Sequence, residues 1–254
     1  MISQILEENE FDFSSLVADC YTRKLKSNFN AYGVSYDFCR FYSLSSQTQK
    51  AIICIFNSSM LVANIEGENF NDEDIEDLLI FIKMNKPSMI EMNVAIAKRI
   101  KDNIKEDYLC ENRTEFECID TFDIEEIELD DKPSLDEVFD IVKLAFPSMR
   151  ESYDMWITDT SHRIRREQSV LYCFEKSSTL MIKYMLDGYA LIGQVGTLPE
   201  KRGNDYARKM LHTVSNLMNK KGLKVCLFAR EKMVGFYQKL GFSPMLSDVV
   251  FERK

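Results

Sequence analysis

Short apolar runs separated by polar turns fill most of the chain, and their spacing predicts strands and helices in two successions of similar order. In the first, a helical pattern reaching about residue 27 precedes three strand-like runs, FCRFYSL, KAIICIF and SMLVANIE, rich in β-branched and aromatic residues. An acidic helix from Asp72 to Lys83, a short SMIEM strand, a helix from Val94 to Asp102 and a strand-like TEFECID complete it. The second succession opens with a strand expected over IEEIEL, residues 124–129. Pro133 and Ser134 then start a helix running through Ala145, and another helix is expected over about 149–166. Strands follow at 169–175, 178–186 and 189–198, then a helix over 203–219, a strand over 223–229, a helix over 231–240 and a closing strand near 247–252. The break between the successions falls near residue 121, so the expected domains are 1–121 and 122–254.

Composition narrows the setting. A chain of 254 residues with 45% hydrophobic content can bury the cores of two modest domains. No apolar run reaches the length of a membrane span, and MISQILEENEFDF lacks the basic start and apolar stretch of an export signal. The seven cysteines form no CxxC pair, which suits reduced thiols better than disulfides or zinc. The expectation is a cytoplasmic protein with no membrane contact and no bound metal. A net charge of −9 argues against nucleic acid as a partner, because binding to phosphate backbones rests on clustered Lys and Arg.

Charge and glycine are unevenly spread. Acidic residues crowd Glu66 to Asp77 and Asp120 to Glu137, whereas Lys201, Arg202, Arg208, Lys209, Lys224 and Arg230 gather near the end. Only Gly33 and Gly67 precede Gly188, and the other glycines follow it. Glycine permits close approach of a ligand to the main chain, and a basic surface in an acidic protein suits a polyanion. Solvated helix faces account for the basic residues as an alternative.

Both features converge on VGTLPEKRGNDYARKML, a strand that ends in a glycine- and arginine-bearing turn and enters an amphipathic helix. A helix start exposes unpaired N–H groups at the positive end of its dipole and so suits a phosphate-bearing ligand. This segment resembles the cofactor motif of the GNAT superfamily of acyl-CoA-dependent N-acetyltransferases, here Arg202, Gly203, Asn204, Asp205, Tyr206, Ala207, with Asp205 where the family has its middle glycine. LKVCLFAREKMVGFYQKLGF, residues 223–242, resembles the last motif of the family, with Tyr237 on its helix and Arg230 and Met233 in place of the usual Asn and small residue.

The resemblance implies an α/β (α+β) fold: a mixed, mostly antiparallel central sheet flanked by helices, in tandem. The N-terminal half repeats the element order but carries EGENFNDED in place of the phosphate turn, so it is expected to be a degenerate copy that has lost cofactor binding. In the C-terminal half the resemblance implies acetyl-CoA as co-substrate. Arg202, Gly203, Asn204, Asp205, Tyr206, Ala207 and Arg208 would hold its pyrophosphate, Val195, Gly196 and Thr197 would pair with the pantetheine arm, and Arg230 would line the same site. Gly193 and Gly196 would allow a bulge that opens the slot. Tyr237 would protonate the leaving thiolate, and a phenol is protonated at neutral pH without help. A general base is not visible: Gln194, Glu200, Glu175 and Asp187 are the nearby polar residues. His162 and His212 read as surface or capping residues. Phe146 to Arg166 would build the acceptor site for a small or amino-acid-like amine. Two other readings stay open, a non-catalytic acyl-CoA-binding protein and an aminoacyl-tRNA-dependent transferase, the latter poorly served by the acidic N-terminal half.

Overall fold

The computed structural model describes residues 1–254 apart from 47, 119 and 126. The chain forms two compact units, one of residues 1–114 with 247–254 and the other of 115–246.

In unit 1 the strands are β1 (Ile2–Ile5), β2 (Cys39–Ser45), β3 (Gln49–Phe56), β4 (Ser59–Asn64) and β5 (Met89–Glu91), and the helices are α1 (Cys20–Tyr32), α2 (Asp72–Asn85) and α3 (Val94–Ile104). β6 (Tyr108–Cys118) begins here and crosses into unit 2 at Glu115. The sheet order is β1-β2-β3-β4-β5-β11, where β11 (Ser243–Arg253) is the last strand of the chain and its residues from Ser247 on belong to this unit. β4 and β5 run parallel because α2 connects them, and β11 pairs antiparallel with β5 through Val250–Glu91 and Phe251–Ile90. Alternation along β3 splits its residues between two faces. Ile53 and Ile55 pack with Leu78, Ile82 and Ile100 of α2 and α3. Cys54 points the other way, and Asn28 of α1 donates to its Sγ at 3.6 Å.

Unit 2 repeats the plan. Its helices are α4 (Leu135–Ala145), α5 (Tyr153–Arg165), α6 (Tyr206–Lys220) and α7 (Glu231–Lys239), and its strands are β7 (Val170–Phe174), β8 (Ser178–Leu186), β9 (Tyr189–Thr197) and β10 (Lys224–Arg230). With residues 115–118 of β6 the order is β6-β10-β9-β8-β7. β7, β8 and β9 form an antiparallel meander, and β9 and β10 are parallel across α6. One face packs Leu180, Ile182 and Leu227 against Met210, Val214 and Leu240 of the α6–α7 side. The other packs Leu171 and Met181 against Val138, Val142 and Trp156 of α4 and α5.

Each unit therefore has a mostly antiparallel sheet with helices on both faces. Four details differ from the sequence expectations. The start of the chain is a strand, because Ile2 and Ile5 flank polar residues that pair with β2. IEEIEL is not a strand over its described residues. The bridge to the sheet comes just after it, from Asp130 to Cys173, while Ile127 and Leu129 rest on the apolar core. Residue 126 of that segment and residue 119 of TEFECID lie outside the described residues. α5 begins at Tyr153, after a single 3-10 turn at Pro147–Met149, since proline opens a turn but interrupts a continuing helix. The sequence also kept the closing strand with 122–254, whereas residues 247–254 lie in the first compact unit.

Candidate acyl-transfer site in the C-terminal unit

The parallel ladder between β9 and β10 runs from Tyr189–Lys224 to Ile192–Leu227 and stops, although both strands continue. From Gly193 onward β9 turns away, and the cause lies in one residue. Gln194 has φ 52°, a left-handed conformation in the middle of a strand, and the pairing with β8 slips there, from Met181–Gly193 to Thr179–Gly196. Trp156 Nε1 donates to Gln194 Oε1 at 3.1 Å and holds the bulge from α5. The sequence placed this bulge at the glycines, and it falls between Gly193 and Gly196. Gly196 has a second use: a Cβ on it would stand 2.9 Å from Ala145 Cβ and 3.1 Å from Phe146 Cε2, so bareness here lets the end of α4 lie on the strand.

The gap between the diverging strands opens into a cavity of about 1040 Å³. Its wall takes in Val195, Gly196, Thr197, Arg202, Gly203, Asp205, Tyr206, Ala207, Arg208, Arg230 and Tyr237. Of the residues the sequence singled out for the site only Asn204 lies outside it, its Nδ2 donating to Lys201 O at 2.9 Å to close the turn. Lys232, part of the basic cluster around the two motifs, also lines the cavity, as do Phe228 and Ala229, which sequence reasoning did not single out because they are apolar residues of a strand with no chemical signal of their own.

The start of α6 is built for an anion. Gly203 has φ 82° and Asp205, the residue before the helix, has φ 65°. Asp205 thus takes the backbone shape that a glycine would supply, which Asp tolerates better than most residues. Its carboxylate forms an ion pair with Arg208 one turn on and caps no amide. The first N–H groups of α6 consequently have no side-chain acceptor. Lys201, Arg202 and Arg208 surround them. The equivalent helix of unit 1, α2, is the opposite case: Asn71 and Asp74 close a reciprocal capping box over its first amides, and Asp72, Glu73 and Asp74 fill its first turn. A phosphate would find those donors taken and three carboxylates beside them.

Tyr237 sits on α7 with its ring against Phe116 and Phe242, at 5.9 and 6.0 Å between centroids. It is 9% exposed, burial pushes its phenol up to about 12, and its hydroxyl has no hydrogen-bond partner among the described residues. A core tyrosine normally satisfies its hydroxyl. Tyr237 is also one of the residues that line the cavity. Tyr206, at the other end, donates its hydroxyl to Glu175.

Residues 135–242 match the model of the acetyltransferase (GNAT) family. The match lies within unit 2 and covers less than half of the chain. The solved structures agree at the level of fold. A putative acetyltransferase from Pyrococcus horikoshii is 17% identical with a TM-score of 0.67 over 99% of this chain and 88% of its own. A GNAT-family acetyltransferase from Colwellia psychrerythraea is 14% identical, with a TM-score of 0.60 over 100% and 99%. A tandem GNAT protein from the clavulanic acid biosynthesis pathway is 11% identical, with a TM-score of 0.59 over 99% and 97%. A search of curated proteins finds no match. These structures share the fold over nearly the whole chain, both units included.

Of the surface or capping role expected for His212, the surface part does not hold, while its ring meets the carbonyl of Leu240, the C-cap residue of α7. His212 is 8% exposed, stacks on Phe122 at 3.8 Å between centroids, and its Nε2 lies 2.9 Å from Leu240 O. Burial holds its pKa below the usual histidine value against the raising effect of that hydrogen bond. It is a packing residue behind the GNAT motif. A second hollow of the unit, about 1090 Å³, is walled by Glu125, Glu128, Asp130, Asp131, Glu137 and Glu175 among others, a lining that opposes a polyanion. No group of three potential metal ligands occurs among the described residues, and no helix of the described residues is long and apolar enough to cross a membrane.

Proposed function

We propose that the C-terminal unit transfers an acetyl group from acetyl-CoA to a primary amine of a small or amino-acid-like acceptor by direct attack. The observation that carries this reading is the juxtaposition of an uncapped, cation-flanked helix start and an unpartnered tyrosine hydroxyl on one cavity. The amides at the start of α6, with Arg202 and Arg208, hold the diphosphate. The edge of β9 that β10 leaves unpaired, Gly193 to Thr197, offers backbone groups to the pantetheine arm as a neighbouring strand would. An amide of the Gln194 bulge polarises the thioester carbonyl. Tyr237, kept protonated by burial, gives its proton to the departing sulfur. Arg230, at the head of α7, adds positive charge to the rim.

Calorimetry with acetyl-CoA, dephospho-CoA and pantetheine fragments tests the binding half, followed by an amine screen that reads release of free thiol. Acetyl-CoA binds and the fragment without diphosphate does not, if α6 does what is claimed. Tyr237→Phe then lowers kcat by about 10²- to 10⁴-fold with acetyl-CoA affinity unchanged, the range for loss of a positioned acid. Absence of heat with every CoA species removes the reading.

One observation favours a second reading, a non-catalytic acyl-CoA-binding protein. Among the cavity-lining residues Asp205 is the only carboxylate, and Arg208 already pairs with it. Binding in calorimetry with no thiol release across the amine screen and an intact Tyr237 would select it.

A further inference from the structure

Several of the charges on α2 are used within unit 1. Asp74 closes the capping box with Asn71, Asp72 meets Arg99 at 2.6 Å, and Asp77 pairs with the N-terminal ammonium of Met1. Glu73, Glu76 and Lys83 are exposed and have no ion pair or hydrogen bond among the described residues. Beside them stand Leu79, which packs partly on the core, Ile80, which is 50% exposed, and Met84, which is 77% exposed. Glu73, Glu76, Ile80, Lys83 and Met84 share one side of the helix, because spacings of three, four and seven return to the same face.

This outer stripe is acidic toward the start of α2 and basic toward its end, with Leu79 and Ile80 in the middle. A hollow of about 410 Å³ runs along it, walled by Ile75, Leu79, Ile80 and Asn103 together with Glu76 and Lys83. Single exposed apolar residues are ordinary on a surface, but here unpaired charges of opposite sign bracket them and give the face a direction. The stripe is complementary to its own reverse. About a twofold axis beside Leu79 and Ile80, Glu76 of one chain comes level with Lys83 of the other, and Lys83 with Glu76, since each stands about 5 Å along the helix from the axis. A parallel arrangement would set Glu76 against Glu76 and Lys83 against Lys83, which repulsion opposes.

We propose that the outer face of α2 docks a second copy of this chain, the two α2 helices lying antiparallel with a Glu76–Lys83 pair on either side of the apolar middle. Ile80 of each copy covers the hollow of the other. One helix pair buries little area, so the association belongs to the transient class, forming on the order of 10–100 μM and separating on dilution. Nothing in this pairing depends on the acyl-CoA reading of unit 2.

Analytical ultracentrifugation of the full chain over a dilution series is the test. The wild type should pass from one to two chain masses through that range, and the transition should move to higher concentration as salt rises from about 0.05 to 0.5 M, because exposed charge pairs are screened. Glu76→Lys and Lys83→Glu each set like charges face to face, so each variant alone should associate about tenfold more weakly or worse. Mixed in equal amounts, the two variants should pair with one another, since lysine then faces glutamate on both sides of the axis. The double variant Glu76→Lys/Lys83→Glu should dimerise as the wild type does. Both positions are exposed, so the core of unit 1 stays intact, which circular dichroism checks, and the wild-type salt series stands without any variant. A wild type that stays monomeric up to about 1 mM overturns the inference. So does a dimer that withstands either single reversal, or a pair of weakened variants that fails to associate on mixing.

Discussion

Asp205 shows how a single substitution in a motif is absorbed. The sequence pattern asks for glycine, and an L-residue there meets two costs, backbone strain and a carboxylate near phosphate. The structure meets the first by placing Asp in the left-handed region at φ 65° and the second by pairing it with Arg208. Asp205→Gly keeps that backbone shape freely and releases Arg208 toward the ligand. Acetyl-CoA should bind roughly fivefold tighter in low salt, about the worth of one partly exposed charge contact, with the gain shrinking as salt rises. Calorimetry over a salt series reads both. An unchanged affinity would mean that Arg208 does not meet the phosphates. Tyr237 was legible from its motif, and what the sequence could not show is that its hydroxyl lacks a partner, since hydrogen-bond satisfaction depends on residues distant in the chain.

At the scale of elements, strands and helices were readable wherever periodicity was strong and punctuation clear, as in α2, α6 and the β7 to β9 meander. Boundaries blurred where proline or a polar stretch offered two solutions, as at 147–153, and where an apolar alternation such as IEEIEL packs on a core without finding a strand to pair with. The splay of β9 from β10 depends on Gln194, whose left-handed backbone has no sequence signature comparable to glycine's. Gly196→Ala tests the other requirement of that strand. Its new methyl would overlap Ala145 Cβ, a group with no rotamer to yield, so α4 must shift. The expected cost is about 1–3 kcal/mol of stability, visible in a urea titration, together with weaker acetyl-CoA binding because the arm's edge moves. A variant as stable as the wild type would show that α4 gives way without strain.

For the molecule as a whole, the two halves were legible as a repeated order of elements, but the division of the chain was not. β11 completes the sheet of unit 1, where Phe251 is 1% exposed and Asp248 joins a buried charge cluster. There Arg113 pairs with both Glu91 and Asp248, Lys24 pairs with Glu91, and Tyr21 donates to Asp248. Strand membership of this kind depends on partners more than a hundred residues apart, which local pattern does not encode. Removing residues 247–254 takes away Phe251 and the Asp248 carboxylate that pairs with Arg113, so unit 1 should lose cooperative unfolding and become protease-sensitive, read by limited digestion. Cleavage confined to unit 2 would contradict this. The cluster also sets a pH limit. Burial alone would raise Glu91, but Lys24 and Arg113 outweigh it and hold the carboxyl down to about 2. Its folded pKa is thus below the unfolded value of about 4.3, so the unfolded state binds the proton first. The stabilisation is complete above that value and is lost as pH falls toward 2. Urea midpoints should drop across that window, and Glu91→Gln, already weaker at neutral pH, should flatten the drop.

The placement of residues 247–254 in the first unit has a further consequence for how the protein is made. A ribosome delivers the chain from the N-terminus, and domains generally close as soon as their own segment has emerged. Here the earliest-made sheet has to wait, with the edge of β5 uncovered, until the whole of unit 2 has been synthesised and the last strand is free. Nascent chains stalled before Ser247 should therefore be the species that chaperones hold.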